Sequence, residues 1–381
     1  MVSELSRTKR GLRSSKKSVK GFKTKLDLNN RQRTLMAKHA GVARHAWNWG
    51  LATCKKRLET GGKLPTAIDL HKRLVAEVKS RNPWYYEVSK CSPQEALRHL
   101  NKAFKRVGQV KGTGFPKFKK KKVKESFYLE GSIKISGDWV KLPRIGWVKS
   151  HEQLPPVHPK NVTISKRAGD WYIAFKIDFE PSPQPPFERG AKGDRERIGV
   201  DVGIKTLATL CDGKTYPNPK AYRQAQKKLA KLQKELSRRQ TGGKNREKTK
   251  LKLAKAHRRI ADIRADHLHK LTTYLAKNHG EVKIEDLNVS GMLKNHKLAG
   301  AIADGGFYEF RRQLEYKCEW YGSKLTLIDP WYPSSQISSN CGHRQKMPLH
   351  KRQYDCPNCH ASIDRDLNAA INLENAESSA V

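Results

Sequence analysis

Between residues 198 and 210, Ile198, Val200, Val202 and Ile204 alternate with Gly199, Asp201, Gly203 and Lys205. Period-two alternation predicts a strand with one buried face. Asp201 is therefore expected opposite the core, with flanking glycines leaving room for a phosphodiester to approach the backbone. Residues 281–288 repeat the pattern, with Val282 and Ile284 facing one way and Lys283 and Glu285 the other. A third acidic stretch, I-D-R-D-L-N-A-A-I-N-L at 363–373, predicts a helix with acid in its first turn.

The remaining periodicity fills in the chain. A first strand is expected over 22–28, followed by helices through Leu35, Val42, Ala46 and Trp49, over 67–78, and from Ser92-Pro93, where Ser is the expected cap. Residues 126–179 read as β structure, with a hairpin turning at Ala168-Gly169-Asp170. The run P-S-P-Q-P-P at 181–186 reads as a domain linker. Leu229, Leu232 and Leu236, then Leu253, Ala256, Ile260, Ile263 and Leu271, predict a helical hairpin whose outer faces are crowded with Lys and Arg. Phe307, Phe310, Leu314, Cys318 and Tyr321 predict a helix closed by Gly322, and a strand follows at 324–328.

Charge narrows the partners. The 381 residues carry 78 Lys plus Arg against 36 Asp plus Glu, a formal charge of +42. An excess spread over the whole chain calls for a polyanion, and nucleic acid is the expected one. The basic residues 1–18 read as an arm that orders on RNA or DNA, and the basic faces of the helical hairpin as the lining of a nucleic-acid channel. In the stretch G-F-P-K-F-K-K-K-K, Phe115 and Phe118 lie among Lys117 and Lys119, a pattern suited to stacking bases while cations meet phosphates. No apolar run reaches the ~20 residues needed to span a bilayer, and the first residues lack the apolar segment of a secretory signal. Cys54, Cys91, Cys211 and Cys318 are dispersed and read as packing residues in a reducing, cytoplasmic compartment.

Two constellations carry candidate chemistry. Asp201, Glu285 and the acids of the last helix lie on elements able to meet, and three carboxylates suit a pair of divalent ions and phosphoryl displacement. Cys341, Cys356 and Cys359 cluster as metal ligands do, but Ser338 stands where a matching C-x-x-C would have its first cysteine. His343, His350 or His360 could supply the fourth ligand of a zinc site, or three cysteines hold the ion alone.

In this order G-V-D-V-G-I-K, I-E-D-L-N-V, P-S-S-Q with the cysteines, and D-R-D-L-N-A-A-I-N-L resemble TnpB, the family of transposon-encoded RNA-guided nucleases related to type V CRISPR effectors. The resemblance implies a multidomain α+β protein. It comprises a wedge β-barrel (1–28 and 124–185), a helical recognition insertion (29–123), a RuvC-like nuclease of RNase H fold (186–330 and 362–375), a zinc-ribbon-like target-nucleic-acid-binding module (331–361) and a disordered tail (376–381). It implies catalytic acids Asp201, Glu285 and Asp366 holding two Mg2+, with Asp364 as a cap or supporting neighbour. Zinc is implied at Cys341, Cys356 and Cys359. Lys90 and Gln94 fall where the family reads a short motif beside its target. The implied activity is RNA-guided DNA cleavage, with a guide (omega) RNA and double-stranded DNA as partners, one protein per RNA and no membrane, in the bacterial cytoplasm and on the nucleoid. The rival readings are a nuclease-idle RNA-guided repressor, a transposase or transposase accessory, and a guide-free junction resolvase.

Overall fold

The structure, a computed structural model, describes residues 18–121, 125–180, 195–348 and 350–377. Two compact units emerge, Val19–Phe179 and a second that begins at Glu180. The expected Pro-rich linker, residues 378–381 of the expected tail, and all but Ser18 of the expected basic arm lie outside the described residues.

In the first unit, β1 (Ser18–Asp27) leads into α1 (Asn30–Glu59), started by a capping box in which Asn29 and Gln32 satisfy each other's backbone N–H. A second box, Thr66 with Asp69, starts α2 (Ala67–Arg73), which continues as a π-helical turn over Leu74–Lys79. The next helix, α3 (Cys91–Gln109), opens one residue before the expected Ser92. Ser92 does not cap it, because its hydroxyl turns to the Tyr128 carbonyl at 3.5 Å. Close passage of α3 over α1 is possible at Gly50, where a Cβ would lie 2.6 Å from Leu97.

Six strands follow: β2 (Ser126–Glu130), β3 (Lys134–Ser136), β4 (Trp139–Leu142), β5 (Gly146–Ser150), β6 (Asn161–Arg167) and β7 (Asp170–Phe179). The β6–β7 hairpin turns where expected, with Ala168 and Gly169 both at positive φ. Strand order β2-β6-β7-β1-β5-β4-β3 makes a seven-stranded sheet without closure, so the expected barrel is not found. Its terminal strand β3 is only three residues long, and β2 lies against α1 and α3. Sheet and helices share one core, in which Leu129, Ile164 and Ile173 meet Met36, Leu51 and Leu97.

The second unit contains β8 (Arg195–Val202), β9 (Thr206–Leu210), β10 (Thr215–Pro217), α4 (Ala221–Arg238), α5 (Lys244–Asn278), β11 (His279–Glu285), α6 (Val289–Met292), α7 (Ala299–Gly305), α8 (Phe307–Tyr321) and β12 (Lys324–Ile328). It ends with β13 (Gln353–Asp355), β14 (Ser362–Asp364) and α9 (Arg365–Asn375). Sheet order is β10-β9-β8-β11-β12, antiparallel through β8 and parallel across β8, β11 and β12. Ile198, Val200, Val282 and Ile284 form its apolar face with Leu268, Leu271, Phe310 and Leu314 of α5 and α8. The expected helical hairpin is α4 with α5, joined through Leu229 and Ile260. Among the described residues no helix is long and apolar enough to cross a membrane.

Candidate active site and cysteine cluster

Opposite the apolar face, the sheet is covered by α9. Gly199 makes this possible, since a Cβ there would stand 2.0 Å from the Ala370 carbonyl oxygen and 2.5 Å from the Glu374 nitrogen. This corrects the expectation of a bare side, for the glycine admits a helix backbone rather than a phosphodiester. On β11, Lys283 is buried under the same helix and donates to the carbonyls of Glu374 (2.8 Å) and Ala376 (2.7 Å). Ala376, the first residue of the expected disordered tail, is buried among Ile328, Tyr332 and Leu373.

Asp201 and Glu285 each lie two residues beyond these contacts, hence on the α9 side of neighbouring parallel strands. The first turn of α9 carries Asp366, whose charge is felt at Asp201. Asp364 is its N-cap, accepting from the N–H of Asp366 (2.9 Å) and Leu367 (3.1 Å), so it is the expected cap. Burial, then the charges of Asp366 and Glu285, push the Asp201 carboxyl up to about 7, and burial alone pushes Glu285 up to about 7. Arg365 opposes the rise at Asp201, and Arg352 stands 3.6 Å from Asp366. Beside Glu285 a cavity of about 420 Å³ is lined by Val202, Asn288, Tyr308, Arg311 and Arg312. Oxygen donors of like charge in a partly desolvated cluster fit a hard divalent cation in kind, although they are not packed within the 4.8 Å that joins the thiol cluster.

Cys341, Cys356 and Cys359 form the other cluster, with ligand atoms all within 4.8 Å of one another. Two equivalent turns build it. Ser338 N–H donates to His343 and Cys356 N–H to Ala361, while Gly342 N–H returns to Ser338 and His360 N–H to Cys356. Gly342 and His360, at matching positions, both have positive φ. Ser338 is thus the counterpart of Cys356, buried like it and with its oxygen 3.6 Å from the Cys359 sulfur. Hydrogen bonds from Asn340, Ala361 and Ser338 pull the Cys359 thiol down to about 6, and those from His343, Asn358 and Ser338 lower Cys341. Three clustered sulfurs, with the Cys341 and Cys359 thiols inclined to ionise, fit a thiophilic cation. The fourth corner holds a serine hydroxyl, and none of His343, His350 and His360 joins the set.

The candidate nucleic-acid contacts divide. Phe115, Lys117 and Phe118 are exposed, as is Lys90, the residue before α3, whereas Gln94 is half-buried. Lys119 turns inward, its ammonium 3.9 Å from the Trp47 ring centroid, because Asn48 pairs with its backbone at 2.8 and 3.0 Å and docks the segment on α1. Burial lowers its pKa. Periodicity gave the side of Lys283 but not its burial, and did not single out Asn368 or Asn372. The two asparagines, one helical turn apart on α9, donate to the Ser334 and Ile337 carbonyls and lace the loop before the cysteines to the helix. Their i, i+4 spacing on an otherwise apolar face was the available signal.

The fold is that of a mixed α/β multidomain chain similar to Cas12f effectors. In fold it is similar to the protein in a cryo-EM structure of the Cas12f1-sgRNA-target DNA complex, with a TM-score of 0.52 at 15% identity over 90% of this chain and 83% of that one. Residues 180–296 match the family described as "Probable transposase" (OrfB of IS605), and 307–373 match "Cas12f1-like, TNB domain". Residues 19–63 match a "Helix-turn-helix domain", although here that stretch is β1 and the single helix α1 with its flanks. A "Putative RNA-guided DNA endonuclease" of Streptomyces pristinaespiralis is 39% identical over 75% of this chain and 71% of its own length. "Putative RNA-guided DNA endonuclease InsQ" of Escherichia coli K12 is 33% identical over 94% of this chain and 92% of its own. The chain belongs to this IS605-type, TnpB-like family.

Proposed function

We propose that this chain is an RNA-guided DNA endonuclease of an insertion sequence, cutting DNA beside a short target-adjacent motif. The observation that carries the reading is that Asp201 and Glu285 lie on the α9 side of neighbouring strands, where burial and the charges of Asp366 and Glu285 raise the Asp201 carboxyl to about 7. Clustered acids in a chain of net charge +42 answer a need for cations at one point on a surface otherwise suited to polyanions. Asp201, Glu285 and Asp366 would hold Mg2+, which when bound supplies the charge that activates water and stabilises the leaving oxygen in phosphodiester hydrolysis. Asp364 fixes the first turn of α9, and Arg352 and Arg365 bring positive charge beside the acids. Exposed Lys227, Lys228, Lys231 and Lys234 on α4 offer a basic track for the strand.

Sequence specificity would come from base pairing between a guide RNA and one strand of a target duplex, one protein per RNA, with the protein reading the flanking motif and duplex shape. In this reading the first unit is the wedge and recognition part, the second is a RuvC-like nuclease, and residues 331–361 form a target-binding module that zinc would brace through Cys341, Cys356 and Cys359. Cleavage of guide-matched DNA by the protein purified with its RNA is the test. Asp201→Ala should abolish Mg2+-dependent cutting and retain guide-dependent binding. Cutting by that variant would overturn the assignment.

A further inference from the structure

Trp331 is 88% exposed, the most exposed large apolar side chain among the described residues. Its backbone is nevertheless held firmly. Prolines at 330 and 333 restrict the turn, Asp329 Oδ1 accepts the Trp331 N–H at 2.7 Å, and the Asp329 carbonyl accepts the Tyr332 N–H at 3.0 Å. Tyr332 packs with Ile328, Leu373 and Ala376, and its hydroxyl donates to the Asn372 carbonyl at 3.4 Å. An indole left in water forgoes the burial that a large aromatic side chain ordinarily gains. A turn pinned on both sides of it keeps that ring surface preorganised.

The position of the turn relates it to the acids. Ile328 is the register partner of Glu285, and its carbonyl accepts the Asp286 N–H at 2.9 Å. Trp331 follows three residues later, so its backbone lies within about 11 Å of Ile328. The other side of the turn is fastened to the C-terminal end of α9, at Asn372, Leu373 and Ala376, while Asp366 lies in the first turn of the same helix. The indole is therefore mounted between the strand next to Glu285 and the helix of Asp366.

We propose that Trp331 is a stacking platform for one unpaired nucleobase of the DNA strand presented to the acids, and that it thereby sets which phosphodiester reaches them. The proposal rests on the nuclease reading above. A single uncharged ring on a strongly cationic chain matches the face of one base, whereas a protein partner would need a broader apolar patch. A base inside a duplex has no free face to offer, so the strand is unpaired at that nucleotide.

The test uses the protein purified with its RNA and guide-matched duplexes carrying one abasic site, scanned along each strand, in single-turnover cleavage at saturating Mg2+. One abasic position should slow the wild type about tenfold, the equivalent of losing one stacked base. Trp331→Ala should slow cutting of intact DNA by a similar factor and be indifferent to that abasic site, and Trp331→Phe should recover most of the rate. Wild-type speed of Trp331→Ala on intact DNA, or losses that multiply at every position, would overturn the proposal. A second arm scans 2-aminopurine along the strands with Asp201→Ala protein, which needs no cleavage. Quenching at one position that Trp331→Ala relieves supports stacking even if the acids prove to be non-catalytic, and fluorescence unchanged by Trp331→Ala at every position overturns it.

Discussion

Asp201 ties protonation to both stability and function. Its folded carboxyl titrates near 7, well above the ordinary aspartate near 3.9, so the unfolded chain releases this proton at lower pH than the folded chain does. Without divalent metal, stability is then lost as pH rises from about 4 to about 7 and is level beyond. Asp201→Asn should remove that loss, so in EDTA its advantage in denaturant melts should grow across this window and reach a few kcal/mol, roughly, at pH 8. Cleavage by the wild type should rise through pH 7, because cation binding requires the ionised carboxylates. Lys283 gives a second prediction at this scale. Its ammonium satisfies two carbonyls at the C-terminal end of α9, where a cation also suits the helix dipole. Lys283→Met should cost about 2 kcal/mol and slow cleavage by loosening the helix that carries Asp366, and paired melts and single-turnover rates would read both. The side of Lys283 was legible from alternation, but its burial was not, because the helix above it comes from the other end of the unit's chain.

At the scale of elements, the contact of α9 with β8 decides whether the acids meet. Gly199→Ala would force a methyl into the Ala370 carbonyl and Glu374 nitrogen, both backbone atoms that cannot rotate away. A loss of about 3 kcal/mol together with cleavage is expected, measured by urea melts and cutting assays. The cysteine turns permit a gain instead. Because Ser338 repeats the backbone role of Cys356, Ser338→Cys should complete a four-sulfur set without rebuilding the loop. Metal analysis of purified protein and slower zinc loss to a chelator would show it, and equal retention by both proteins would refute the equivalence. Spacing alone pointed to the missing ligand, while the histidines offered in its place fail because the second turn is already closed by the serine. The barrel expectation failed for a related reason, since alternation reports which face of a strand is buried but not whether edge strands pair.

For the whole molecule, the excess of 42 positive charges predicts affinity for nucleic acid dominated by counterion release. Binding of guide RNA should weaken by about 10³-fold or more between 50 and 200 mM salt, and a flat dependence measured by filter binding would contradict a phosphate-led interface. Period-two and helical patterns, the +42 balance and the order of acidic motifs could be read along the chain, because each depends on neighbours a few residues apart. They pointed to β8, β11, α9 and the paired basic helices α4 and α5, missing ends by two or three residues and running β8 and β9 together across the turn at 203–205. The covering of Gly199, the burial of Lys283, the inward turn of Lys119 and the open seven-stranded sheet arise between segments far apart in sequence. Local periodicity carries no information about such pairings, which are selected by packing and by hydrogen bonds that exist once the chain has closed on itself.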